Sequence, residues 1–270
     1  MRRLLIRPGG IGDSILSLPA LEFLKSDYTE VWVREEIVPL IRFADTVRSI
    51  GSSGIDFLGL AGIEPPCVLL DRLRSFDSIV SWYGTNRTEF RAEVARFGLP
   101  FQFLAALPDP SQRLHTADFF LRQVGSSSRG VPRIACPAVP SGNYAVIHPF
   151  SGSPRKNWPI ERFRELARRL AMPVQWCAGP EEDLDGAVRI GNLYELAGWL
   201  RSGRVYIGND SGITHLAAAA GAPVIAIFGP TDPAVWAPRG DRVRVVLGNL
   251  EEISVIQVLD AARSVESARP

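Results

Sequence analysis

Residues 205–228 read VYIGNDSGITHLAAAAGAPVIAIF, and the order of elements that they predict decides the fold. Residues 205–208 and 224–228 are short apolar runs typical of buried strands, and the alanine-rich stretch 213–220 between them is typical of a helix. The polar loop 209–212 joins the first strand to this helix. Strand, helix and strand in this order predict a parallel sheet covered by helices.

The same alternation begins at the N-terminus. Residues 3–7 predict a buried strand, a glycine-rich turn follows, and a helix is expected from residue 14 to about residue 24. Between these two regions, residues 125–142 read GSSSRGVPRIACPAVPSG, a composition that predicts an irregular connection between domains. We therefore predict an α/β protein of two Rossmann-like domains.

The predicted domains have definite bounds. Residues 1–135 form the first and residues 143–252 the second, while residues 253–270 contain a last helix that we expect to pack back toward the N-terminal domain. Ligands of such sheets bind at the carboxyl ends of the strands, so the loops that follow the strands are where function is expected.

Composition excludes several classes of protein. The 270 residues carry 30 basic and 29 acidic side chains, so the chain has no basic surplus of the kind that binds nucleic acid. Three widely separated cysteines predict neither a disulfide framework nor a structural zinc site, and they suit the cytoplasm. The apolar run at the N-terminus is too short for a signal peptide. We expect at most peripheral membrane contact.

The loop 7–13, RPGGIGD, follows the first predicted strand. Its glycines allow a ligand to approach the backbone closely. Asp13 or Ser14 could simply cap the next helix, or Asp13 could act as a general base in a cleft between the domains. The same loop and Glu35 partly match a dinucleotide-binding fingerprint, although Ile15 stands where a third small residue belongs.

The loop 148–159, HPFSGSPRKNWP, combines small polar residues with a basic pair. Ser151, the backbone amides and Lys156 suit an oxyanion or phosphate, whereas a solvated loop tip is the simpler explanation of the two basic side chains.

The loop 209–212 enters the helix of the opening segment, whose free amides predict a second anion site. His215 lies one turn into that helix, where the positive helix end favours a neutral imidazole that donates a hydrogen bond. The next loop, 228–233, is expected to shape the same cleft. No Gly-x-Ser-x-Gly elbow of a serine hydrolase is present. Asp183 and Asp185 formally match a metal-binding DxD pair, but their acidic surroundings favour a surface loop.

Four segments together resemble glycosyltransferase family 9, the bacterial ADP-heptose:lipopolysaccharide heptosyltransferases. They are RPGGIGDSILSLP (7–19), HPFSGSPRKNWPIERF (148–163), GPEE (179–182) and NDSGITHLAAAAGAPVIAIFGPTDP (209–233). The resemblance implies a GT-B fold, in which parallel sheets of two domains face each other across a cleft. It also implies an inverting transfer that needs no metal or other cofactor.

The resemblance also implies residue roles. Asp13 would deprotonate the acceptor hydroxyl, and Lys156 would stabilise the leaving diphosphate, so both count as catalytic. Glu182 would contact the nucleoside or its ribose, and residues 191–193 would line the base pocket. The implied donor-binding set is Gly12, Ser151, Gly152, Lys156, Glu182, Gly191, Leu193, Asp210, Ser211, Gly212 and His215.

The implied partners are an ADP-sugar donor, with heptose as the expected sugar, and a lipopolysaccharide-type or other glycan acceptor, free or lipid-linked. We expect the protein to be located in the cytoplasm, including the inner face of the inner membrane. The chain is short for the family, and the shortage falls in its N-terminal half. Two alternatives remain: a catalytically inactive nucleotide-binding paralogue and an NAD-binding oxidoreductase. Arginines that could meet an anionic acceptor, or could be solvated, are Arg72, Arg74, Arg87, Arg91 and Arg96.

Overall fold

The computed structural model describes residues 1–60, 62–109 and 111–266, which are organised around two parallel five-stranded sheets. The N-terminal sheet has its strands in the order β3-β2-β1-β4-β5, where the first strand of the chain lies at the centre and pairs with β2 and β4. These strands are β1 (Arg2–Ile6), β2 (Tyr28–Val33), β3 (Thr46–Ser49), β4 (Ser78–Ser81) and β5 (Phe101–Phe103).

The C-terminal sheet has the order β10-β9-β8-β6-β7. Its strands are β6 (Ala145–His148), β7 (Val174–Trp176), β8 (Val205–Asn209), β9 (Val224–Phe228) and β10 (Val243–Leu247). A single parallel bridge joins Cys177, directly after β7, to Val188. If the bridge is taken as a rudimentary strand outside β7, the sheet has the six-strand order of dinucleotide-binding folds. The predicted α/β class is confirmed.

Nine α-helices connect or cover the strands within the described part of the chain. Short 3-10 helices occupy residues 35–40, 50–52, 55–59 and 154–156, and residues 124–144 contain neither helix nor strand. None of the described helices combines the length and the apolar character that a membrane crossing needs. The α-helices are α1 (Ile11–Phe23), α2 (Cys67–Arg74), α3 (Thr88–Arg96), α4 (Thr116–Gln123), α5 (Ile160–Arg169), α6 (Leu193–Ser202), α7 (Gly212–Ala219), α8 (Pro233–Trp236) and α9 (Val255–Glu266).

One hydrophobic core extends across both halves. Helix α1 packs against α7 from the C-terminal half and against α4 on its other side. Leu16 and Phe120 from the first half share a buried cluster with Leu216 and Ala217 from the second. Because alanine carries only a methyl group, the alanine-rich α7 lets the backbone of α1 come close. The faces of the two sheets that point away from this junction have separate cores.

The expectation that the last helix packs back toward the N-terminal domain is wrong for its described part. Helix α9 lies on α5 and on the C-terminal sheet. Its apolar face, which includes Val258 and Ala262, is buried against Ile207 and Ile225 of that sheet. The helix covers the outer face of its own sheet, which would otherwise expose apolar strand residues. Residues 267–270 of the predicted segment lie outside the described residues.

Helix α4 ties the two halves together. Arg239, from the segment after α8, pairs with both carboxylate oxygens of Asp118 on α4 at 2.6 and 2.7 Å. His115 caps α4 by accepting the Ala117 amide through Nδ1 at 3.2 Å, and its Nε2 lies 2.9 Å from the Ala237 carbonyl oxygen. Both ring nitrogens are satisfied only if the histidine is neutral and carries its proton on Nε2.

Candidate active site

A cleft of about 1010 Å³ lies between the two halves, at the carboxyl ends of the central strands. Its volume is at the upper end of the range for small-molecule sites. The N-terminal half reaches it through the beginning of α1 and through Glu36, whereas the loops after β6, β7, β8 and β9 supply the rest. This is the position that the doubly wound fold predicts for a ligand.

Asp13 faces this cleft from the first turn of α1. The helix begins at Ile11 rather than at residue 14, and its N-cap is Gly10, so capping by Asp13 or Ser14 is wrong. The Asp13 carboxylate has no hydrogen bond or ion pair with any described residue. An unpaired carboxylate in a cleft is free to accept a proton from a bound ligand.

Arg7 lies buried behind this turn. Its Nη1 donates to the Pro8 carbonyl oxygen at 2.7 Å, and its guanidinium lies 4.7 Å from the centre of the Phe120 ring. Burial lowers the pKa of Arg7 to about 10, while the nearby Asp13 charge opposes that shift. The cation remains charged at neutral pH and holds the chain that leads into α1.

Lys156 approaches the cleft from the C-terminal half. It is the last residue of the short 3-10 turn 154–156, and its Nζ donates to Asp210 Oδ2 at 2.8 Å. It is the single lysine or arginine among the described residues that line the cleft. A ligand with a diphosphate therefore meets one side-chain cation there, and Asp210 holds that cation in place.

The entry of α7 lies beside Lys156. Ser211 is the N-cap of this helix and accepts the Thr214 amide at 3.3 Å. A Cβ on Gly212 would come within 2.7 Å of the Ile11 Cβ, so only glycine lets α7 meet α1 this closely. The first turn of α7 therefore brings its free amides to the same cleft that Asp13 and Lys156 line.

His215 is buried in this junction, against Gly12. A Cβ on Gly12 would lie 3.2 Å from the imidazole Cδ2. Burial lowers the pKa of His215 to about 4, the Asp210 charge opposes this shift, and His115 and Lys156 add to it. The imidazole is neutral at pH 7 as predicted, but burial is the leading cause rather than the helix end.

Glu182 and His148 form a pair at another wall of the cleft. His148 ends β6, and its Nε2 lies 3.0 Å from Glu182 Oε2. The Gly179 amide donates to the same oxygen at 2.6 Å. Burial alone would raise the pKa of Glu182, but the hydrogen bonds from His148 and Gly179 outweigh it and lower the pKa. The carboxylate is therefore ionised at neutral pH.

The wall next to this pair is mainly apolar. It contains Ile190, Gly191, Leu193 and Leu196 around the beginning of α6. A Cβ added at Gly191 would meet no atom within 4 Å, so this edge of the cleft is open. A flat aromatic base fits such a wall.

The structure brings every predicted site residue to this one cleft. Their individual roles remain predictions. Several of their side chains are engaged within the protein: besides Glu182 and Ser211, Ser151 Oγ donates to the Ser153 carbonyl oxygen at 2.7 Å, and Asp210 pairs with Lys156. The predicted residues that line the cleft are Gly12, Asp13, Ser151, Gly152, Lys156, Glu182, Gly191, Leu193, Asp210, Ser211, Gly212 and His215.

Among the residues that sequence reasoning did not single out are His148, Glu36 and Trp236, which line the cleft, and Arg7, which lies behind it. His148 ends a predicted strand, and that position was a signal, but its partner lies 34 residues further along the chain. Glu36 and Trp236 do not end a predicted strand, so their positions along the chain carried no such signal. Arg7 was noted only as the last residue of a predicted strand and the first residue of the loop 7–13, without a role of its own.

Other candidates lie elsewhere. Glu35, on which the hypothesis of an NAD-binding oxidoreductase depends, is exposed and is absent from the described lining of the cleft. Asp183 and Asp185 lie in an irregular loop, and the described residues contain no group of three or more His, Cys, Asp or Glu side chains arranged to hold a metal. Several of the arginines considered for an acceptor are paired within the N-terminal half: Arg72 with Glu30, Arg87 with Asp56, and Arg96 with Glu64.

Comparison with known proteins gives a match to one family model. The model is described as glycosyltransferase family 9 (heptosyltransferase), and it matches residues 126–262. Lipopolysaccharide heptosyltransferase 1 of Pseudomonas aeruginosa is 30% identical over 127 residues, which cover 42% of this chain and 36% of that protein. The matched part thus spans well under half of the length of this curated relative.

Solved structures resemble the whole chain. A family 9 glycosyltransferase from Veillonella parvula superposes with a TM-score of 0.77 at 18% identity, covering 99% of this chain and 97% of the other. Escherichia coli heptosyltransferase WaaC with ADP gives a TM-score of 0.71 at 18% identity, with 98% and 100% coverage. At this identity the likeness concerns the fold, and it assigns the two facing sheets to the GT-B type.

Proposed function

The chain belongs to glycosyltransferase family 9, and on that premise we propose that it transfers a sugar from an ADP-sugar to a glycan acceptor. Heptose is the proposed sugar, and a lipopolysaccharide-type acceptor is the proposed acceptor, because the curated relative is named for that reaction. The single observation that carries the proposal is the meeting of Asp13 from one half with Lys156 and the α7 entry from the other, in one cleft.

The proposed reaction inverts the anomeric centre. Asp13 takes the proton of the acceptor hydroxyl as its oxygen bonds to the anomeric carbon. The bond from that carbon to the diphosphate breaks, and its electron pair leaves with ADP. Charge then accumulates on the diphosphate, where Lys156 and the first amides of α7 stabilise it. His215, neutral and next to the same helix entry, adds a hydrogen bond.

We propose that this arrangement works without a divalent cation or other cofactor. Lys156 and the oriented amides supply the positive potential that a metal provides in other transferases. The support is their common position in the cleft. We place the reaction in the cytoplasm, at the inner face of the membrane where a lipid-linked acceptor would be met.

The first experiment is a calorimetric titration of the purified chain with ADP, UDP, GDP and NAD in the presence of EDTA. Saturable binding of ADP supports the proposed donor. A preference for UDP or GDP would keep the transferase but change the donor, and binding of NAD alone would contradict the transferase.

The second experiment measures transfer itself. We expect release of ADP from ADP-heptose with a lipid-linked glycan acceptor, and we expect the rate to be unchanged by EDTA. Binding of ADP without any turnover across such acceptors would favour an inactive nucleotide-binding paralogue. Loss of turnover in EDTA that Mg²⁺ restores would contradict the metal-independent step.

A further inference from the structure

His148 is a buried histidine that the proposed reaction does not use. It ends β6, which lies inside the C-terminal sheet between β7 and β8, and its residue is 1% exposed. The ring also packs edge-on against Phe150, with 6.1 Å between the ring centres. A side chain on a central strand with these neighbours has little freedom to move.

Glu182, in contrast, lies in an irregular loop, and only one of its two carboxylate oxygens accepts hydrogen bonds from the described part of the protein. Oε2 accepts from His148 Nε2 and from the Gly179 amide. Oε1 has no hydrogen-bond donor among the described residues, and the side chain is 28% exposed on the lining of the cleft. The carboxylate therefore presents one free oxygen to a ligand.

We propose that His148 is a positioning residue that fixes Glu182, so that the free Oε1 accepts a hydrogen bond from a ribose hydroxyl of the donor nucleotide. This inference rests on the proposed function, since it requires a nucleotide in the cleft. A loop carboxylate that is free to rotate would lose conformational entropy on binding, and a partner on a rigid strand removes that cost beforehand.

The second nitrogen of His148 supports the same conclusion. Nδ1 is buried and has no hydrogen-bond partner among the described residues. An apolar side chain of similar size would fill this position without isolating a polar atom. A histidine that carries this cost at the wall of the cleft is therefore explained by what its other nitrogen does, which is to hold Glu182.

The test compares His148→Gln with His148→Asn. The glutamine amide reaches about as far as Nε2 and can still donate to Glu182, whereas the shorter asparagine amide cannot, and both keep a polar side chain. Calorimetry measures the affinity of each variant for ADP, 2′-deoxy-ADP and 3′-deoxy-ADP. Sites built to bond a hydroxyl reject analogues that lack it, so the unmodified chain should prefer ADP over one deoxy nucleotide by about tenfold or more.

We expect His148→Asn to reduce this preference to within about twofold and His148→Gln to retain most of it, because only the latter keeps the hydrogen bond that orients Glu182. Glu182→Ala, which removes the acceptor itself, should also reduce the preference. His115→Gln is the control, since it alters another buried histidine away from the cleft lining and should leave the preference unchanged.

An unchanged preference in His148→Asn would overturn the proposal, and so would an equal weakening of all three nucleotides, which is what a merely structural role predicts. Thermal unfolding of each variant shows whether it is folded. If His148→Asn does not fold, Glu182→Ala decides: a preserved preference for ADP would overturn the contact with ribose. If the unmodified chain does not bind ADP, the proposed function itself fails, a result that is distinct from an unchanged preference.

Discussion

The two halves have sheets of the same kind but contribute unequally to the cleft. Six of the 29 described lining residues come from the N-terminal half, and these include the unpaired carboxylate of Asp13. The C-terminal half supplies Lys156, the α7 entry and the apolar wall. In the proposed mechanism, the C-terminal half binds the donor and the N-terminal half supplies the proton acceptor, and variants on either side of the cleft test this division.

The largest expected effect tests this division from the N-terminal side. In Asp13→Ala, we expect kcat to fall about 10²- to 10⁴-fold because the general base is gone, while the affinity for ADP stays within about threefold. Steady-state kinetics and calorimetry measure the two quantities. Glu35→Gln is the matched control, because this exposed carboxylate of the same half lies outside the described cleft lining. Lost ADP binding with preserved turnover would contradict the assignment of Asp13.

A smaller effect is expected from the C-terminal side. Lys156→Ala should weaken ADP binding about tenfold to a hundredfold and slow transfer as well, because a charged hydrogen bond to the diphosphate is lost. Arg155→Ala is the matched control, since Arg155 is the exposed neighbour of Lys156 and lies outside the described lining.

Asp210 sharpens the same test. Once Lys156 is removed, the Asp210 carboxylate loses its partner and faces the phosphates. The double variant Lys156→Ala, Asp210→Asn should therefore recover part of the lost affinity. If it binds ADP more weakly than the single variant, Asp210 itself contributes to donor binding rather than holding the lysine.

Sequence reasoning predicted the location of the site well for a physical reason. The carboxyl ends of parallel strands meet at one edge, so loops after β1, β6 and β8 had to converge once their strands were recognised. Residues as far apart as Gly12 and His215 could thus be assigned to one cleft before any contact was known.

The remaining errors concern pairings and packing between distant residues. The start of α1 was placed late because its N-cap is Gly10, which carries no capping side chain. Glu182 paired with His148, and Asp210 with Lys156, across many residues, so no local pattern signals them. The direction in which α9 packs depends on which sheet has an uncovered apolar face, and that is a property of the assembled fold.

His115 tests a contact that joins the two halves. It belongs to the N-terminal half, and its ring is hydrogen-bonded to the C-terminal segment after α8. Burial lowers the pKa of His115 to about 4, against its ordinary value of 6.5, with smaller opposing effects from the Ala237 carbonyl and Asp118. As the pH falls, the unfolded chain therefore takes up a proton on His115 at a higher pH than the folded chain does. The free energy of unfolding should fall by about 3 kcal/mol as the pH drops from 6.5 toward 4.

Denaturant unfolding at several pH values measures this loss, to which His215 adds in the same direction. His115→Asn keeps an N-cap oxygen for α4 but cannot titrate in this range. Its stability should be lower at pH 7 and should depend less steeply on pH. An equally steep dependence in His115→Asn would show that other groups cause the acid sensitivity.

The smallest expected effect concerns the junction that joins the halves. In Gly212→Ala, the new methyl group would lie 2.7 Å from the Ile11 Cβ and 3.1 Å from the Gly12 nitrogen. Because backbone must move to relieve this overlap, we expect the free energy of unfolding to fall by about 1 to 3 kcal/mol. Gly152→Ala is the matched control, since no neighbour lies within 4 Å of its Cβ position. An unchanged stability of Gly212→Ala would mean that the halves separate easily at this point. ADP binding would then have to be treated as a property of the C-terminal half alone.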